Sequence, residues 1–132
     1  MAFLKYSEVD CDIENSLESR DAISVSIGLN LEKWRALSDA LGRIANREGS
    51  ELRTDFPGGW TIFWKIRDGD SRFFVAHPEP DQWVATLALS ESHLTMIRER
   101  LKQGFEGTLS DLETVSRMSN VEVKIRVRVG AI

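Results

Sequence analysis

Apolar and polar positions alternate with a period of two in several stretches of this chain. That spacing predicts strands with one face in a core. "ISVSIGL" places Ile23, Val25, Ile27 and Leu29 on one face, and "WTIFWKIR" places Trp60, Ile62, Trp64 and Ile66 together. The cleanest case is "VEVKIRVRV", where Val121, Val123, Ile125, Val127 and Val129 alternate with Glu122, Lys124, Arg126 and Arg128. Val9, Cys11 and Ile13 alternate with Glu8, Asp10, Asp12 and Glu14, which predicts a further strand over 8–14 with an acidic outer face. "RFFVAH" and "WVATLAL" are apolar on both faces, the mark of more central strands.

Turn residues divide these runs. Pro57-Gly58-Gly59 precedes Trp60, and Asp68-Gly69-Asp70 separates two strands with a tight-hairpin signal. Residues 51–89 therefore read as an antiparallel meander of three or four strands. Within it, His77-Pro78-Glu79-Pro80-Asp81 reads as a stiff loop between strands 73–76 and 83–89. Its prolines remove backbone donors and prefer turn positions, so strands should not extend through it.

Helical spacing appears twice. Asn30 can cap a helix carrying Trp34, Leu37, Leu41 and Ile44, with Gly49 as its stop. Ser90 can cap a second with Leu94, Ile97 and Leu101 on one stripe, ending at Gly104. "TLSD" at 108–111 resembles a capping box and predicts a short third helix through Leu112 and Val115. The sum is an α+β fold in one domain, residues 1–132: a mostly antiparallel sheet with two to three helices packed on one face.

Charge changes this picture in two places. The chain has net charge −4, which disfavours nucleic acid and anionic membranes as partners of the molecule as a whole. Residues 7–21 carry six carboxylates against Arg20, a net of −5, whereas residues 117–128 carry Arg117, Lys124, Arg126 and Arg128 against Glu122, a net of +3. The simplest account is that the two segments lie near one another in a sheet and that their charges face each other. The competing account makes Lys124, Arg126 and Arg128 a basic face for nucleic acid.

Apolar stretches are short and give no membrane span. The acidic N-terminal segment forms no signal-peptide core, and the one cysteine, Cys11, makes no internal disulfide. The expected compartment is the cytoplasm.

Candidate chemistry is sparse. Cys11, His77 and His93 form no paired metal-ligand spacing, and the meander separates the two histidines by a strand of roughly 23 Å. Neither a metal nor a cofactor is expected. Cys11 lies on the apolar side of an acidic strand, which raises a thiol pKa rather than activating it. The sequence holds no GxSxG, GxGxxG or P-loop pattern. His93 falls at the third position of the second helix and reads as a cap neighbour.

The aromatics carry more. The 57–59 and 77–82 loops fall at one end of the sheet and gather Phe56, Trp60, His77, Glu79, Asp81 and Trp83 into a candidate binding rim. The leading expectation is a non-catalytic domain that binds a protein or a second copy of itself, an acidic inhibitor or immunity-type protein being one version. The alternatives are a small-ligand site or enzyme at the Trp60/His77/Trp83 end, and nucleic-acid binding through the basic C-terminal strand.

Overall fold

The alternating runs form four antiparallel hairpins, and parallel strand pairs join them. The computed structural model describes residues 2–19, 22–49, 51–103, 110–118 and 121–131. The elements run β1 (Ala2–Lys5), β2 (Cys11–Ser19), β3 (Ala22–Leu29), α1 (Leu31–Ala45), β4 (Leu52–Phe56), β5 (Trp60–Ile66), β6 (Arg72–Glu79), β7 (Gln82–Leu89), α2 (Glu91–Gln103), β8 (Ser110–Met118) and β9 (Val121–Ala131). Strands β1-β4-β5-β7-β6 make a five-stranded sheet, and β2-β3-β9-β8 make a four-stranded one. The chain is a single small α+β unit.

The first sheet is mixed. β4–β5 and β6–β7 are antiparallel, whereas β1–β4 and β5–β7 are parallel. The expected meander survives as two hairpins, but its middle step is a crossover. Asp68–Asp70 carries the chain past β7 instead of pairing β5 with β6, and the Arg67 N–H bonds the Leu89 carbonyl at 2.8 Å. Apolar content explains the order. β7 buries Ala85, Leu87, Ala88 and Leu89 and takes a central place, while β6 exposes Arg72, Phe74 and Ala76 and goes to the edge. β6 is therefore not the central strand that its sequence predicts.

The core lies on one face of this sheet. Leu52, Thr54 and Phe56 face Trp64, Ile62 and Trp60 in register, and Ala85 and Leu87 continue two of these rows. α1 packs on β4 and β5 and buries Leu37, Ala40, Leu41 and Ile44. Asn30 caps α1, its side chain accepting from the Lys33 N–H at 2.9 Å. The helix ends at Ala45, before the expected Gly49, with Arg47 in the left-handed region at φ 61°.

The second sheet answers the charge question. β2 and β9 do not pair but lie one strand apart; both flank β3, β2 antiparallel and β9 parallel. The acidic strand begins at Cys11, since residues 8–10 form a turn. The other direct partner of the basic strand is β8, which sets Asp111 opposite Arg128, Glu113 opposite Arg126 and Arg117 opposite Glu122. The row Glu14–Ser26–Arg128–Asp111 thus crosses the sheet with a carboxylate position on each side of the cation, and the row Ser16–Ser24–Arg126–Glu113 with one on the β8 side.

No third helix forms at 110–118, and Thr108 and Leu109 of the expected capping box lie outside the described residues, as does Gly104. A two-turn helix is marginal. As a strand, the segment pairs with β9 along its whole length. Arg126→Glu sets a carboxylate opposite Glu113. The variant is expected to lose about 1 kcal/mol, seen as a lower melting temperature and partly restored by salt. Unchanged stability would contradict the register.

Candidate functional site

Two hairpin tips meet at one end of the five-stranded sheet. Pro57–Gly59 closes β4–β5, with Gly58 and Gly59 at φ 81° and 80°. Only glycine adopts that backbone without strain. Pro80 and Asp81 close β6–β7 between the paired Glu79 and Gln82. The tips are linked through backbone: the Trp83 N–H donates to the Gly59 carbonyl at 2.9 Å. A Cβ on Gly59 would lie 1.8 Å from the Asp81 carbonyl oxygen.

β6 runs through Pro78, contrary to the expectation that the prolines end it. The ladder shifts register between Ala76 and Glu79, and His77 and Pro78 occupy that irregularity. A proline is tolerated there because a bulge on an edge strand asks for no regular ladder donor. His77 is fixed from two sides. Its Nδ1 lies 2.9 Å from the Gln82 carbonyl, so Nδ1 carries the proton and donates. Its ring stacks on Trp83 with centroids 3.8 Å apart.

An aromatic row crosses the sheet from there. Trp83 stacks on Trp60 at 5.3 Å, Trp60 faces Phe56 in register, and Phe56 stacks on Tyr6 at 4.8 Å. Exposure rises along the row. Tyr6, Phe56 and Trp60 are buried, Trp83 is half-buried, and His77, Glu79 and Asp81 are exposed. Of the six rim residues read from the sequence, Phe56 and Trp60 are therefore core, and the accessible part is the tip with the Trp83 edge. Burial, and after it the charges of Cys11 and Asp10, pushes the Tyr6 phenol above its ordinary range. Burial pushes the Cys11 thiol up to about 11, with Asp10 and Asp12 adding to it. Cys11 is a core thiol.

A hollow of about 430 Å³ lies at the tips, lined by residues that include Lys5, Gly59, Trp60, Phe63, Gln82 and Trp83. His77 is not in its wall. Among the described residues no group of three or more His, Cys, Asp or Glu is placed to hold a metal ion.

The sequence did not reveal the network at the opposite end of the sheet. The Ser71 hydroxyl oxygen accepts from the Ser90 N–H at 2.8 Å and lies 2.6 Å from His93 Nδ1. The Ser90 hydroxyl accepts from the His93 N–H at 3.2 Å, capping α2. Burial holds the His93 pKa below its ordinary 6.5, which favours the neutral ring in the folded chain. A folded pKa below the unfolded one means that protons bind the unfolded chain better. Stability is then complete above about pH 6.5 and falls as pH drops through the imidazole range. Urea unfolding from about pH 8 to about pH 5 is expected to show this slope, and His93→Gln to flatten it.

Neither family models nor curated proteins match this chain.

Proposed function

We propose that this is a non-catalytic binding domain whose acidic hairpin tip, Glu79-Pro80-Asp81 with the edge of Trp83, contacts a basic protein partner in the manner of an inhibitor or immunity-type protein. The observation that carries it is the joining of the two tips. The Trp83–Gly59 backbone bond and the His77–Trp83 stack hold exposed carboxylates on a rigid base. Pre-organised contacts cost little ordering on association, and a Trp edge beside charges is typical of interface anchors. The net charge of −4 adds attraction to a basic partner.

Other readings have less support. The hollow of about 430 Å³ at the Trp60/Trp83 end does not have His77 in its wall, which takes support from a ligand site built on that histidine. The carboxylate positions across from Arg126 and Arg128 favour internal pairing of the basic strand over a nucleic-acid contact. Affinity capture from the native host with the wild type and with Glu79→Lys/Asp81→Lys tests the proposal. A basic protein held by the wild type and lost by the variant supports it. Identical captures from both overturn it.

A further inference from the structure

The face of the five-stranded sheet that turns away from the core is built differently from the rest of the molecule. Register sets Phe3, Arg53, Phe63, Thr86 and Phe74 in one row across all five strands. Phe3 and Phe74, at the ends of the row, are 52% and 45% exposed. Strands lie about 4.8 Å apart, so the three rings are spaced at roughly 10 Å. Between the first two, the Arg53 guanidinium sits 5.5 Å from the Phe3 centroid and 5.9 Å from that of Phe63.

Cations outnumber carboxylates among the strand positions of this face. Lys5, Lys65 and Arg72 are exposed on the neighbouring rows. Asp55 is the carboxylate among these strand positions, and it is occupied: Arg53 reaches it at 3.0 Å and the Thr61 hydroxyl donates to it at 3.1 Å. Arg53 thereby keeps its plane fixed between the rings, and Lys5, Lys65 and Arg72 add exposed positive charge. A second copy of the chain is a poor occupant, because a two-fold contact would set these cations against each other.

We infer that this face is a stacking platform for single-stranded nucleic acid. Exposed rings on an open sheet accept bases face to face, and a held guanidinium plane offers a further stacking surface. Cations beside the ring row are placed to neutralise phosphates. The local charge overrides the net charge of the chain, because the counter-ion contact is made within a few ångströms of the phosphates and the rest of the field is screened by salt. This surface is on the opposite side of the sheet from the core and does not use the acidic tip, so the two readings stand or fall separately.

The test is fluorescence anisotropy with labelled oligo(U) and oligo(dT) of about 12 nucleotides, a duplex of the same length, and a poly-glutamate peptide. At about 50 mM salt the single strands are expected to bind, and binding should weaken steeply by about 200 mM. Phe3→Ala and Phe74→Ala should each weaken it by about tenfold, whereas Phe74→Tyr should retain it. Lys65→Ala/Arg72→Ala should weaken it and flatten its salt dependence. All these side chains are exposed, and matching melting curves would show the variants folded. Glu79→Lys/Asp81→Lys should not weaken binding. Absence of binding at low salt, equal binding by the alanine variants, or preference for the duplex or the acidic peptide would overturn the inference.

Discussion

Gly59→Ala is expected to destabilise the fold by about 3 kcal/mol, the sum of left-handed strain and a clash that backbone cannot relieve. The residue has φ 80°, and its Cβ would lie 1.8 Å from the Asp81 carbonyl oxygen. That oxygen belongs to the other hairpin tip, so relief requires the tips to part. Parting them strains the Trp83–Gly59 hydrogen bond and the Trp60–Trp83 stack together. Gly58→Ala is the matched control. Its φ is 81°, but nothing lies within 4 Å of the added Cβ. It should cost only the strain, about 1 kcal/mol. Equal losses in urea unfolding of the two variants would mean that the tips do not touch.

The second large effect lies beneath α1. Trp64 and Thr54 are fully buried, and the indole N–H donates to the Thr54 hydroxyl at 2.9 Å. That hydroxyl in turn donates to the Ile62 carbonyl at 2.9 Å. Thr54→Val preserves shape but leaves the indole N–H without an acceptor in a dry site, at a cost of about 2 kcal/mol. Trp64→Phe also removes the N–H, so Thr54→Val should cost less in that background than in the wild type. A double-mutant cycle reads the difference as a coupling of about 1 kcal/mol or more. A coupling near zero would contradict the buried bond.

Two hairpins of this fold, β4–β5 and β6–β7, can be read from local pattern, because strand-like runs and turn residues mark each of them. The caps Asn30 and Ser90 can be read in the same way. What local pattern does not specify is which hairpin edges meet. The parallel pairs β3–β9 and β5–β7 join segments distant in sequence, and no turn encodes them. Segment 110–118 shows the same limit: its short capping signal is overridden by a partner strand that completes the charged rows.

The candidate site divides similarly. The meeting of the 57–59 and 77–82 loops follows from strand direction, which the crossover leaves intact because β5 and β7 run the same way. The burial of Trp60 and Phe56 depends on the stack with Trp83 and Tyr6, which spacing does not show. The outward row of Phe3, Phe63 and Phe74 was hidden because apolar residues on both faces of "RFFVAH" read as a central strand. The edge position of β6 is what leaves Phe74 open.

The most direct measurement on the central claim is amide hydrogen exchange of the chain with and without its captured protein partner. The account predicts new protection at residues 57–59 and 77–83, with the face bearing Phe3 and Phe74 unchanged. Protection confined to the acidic edge strand β2 or to the outward face of the five-stranded sheet, with the two tips exchanging as in the free chain, would contradict it.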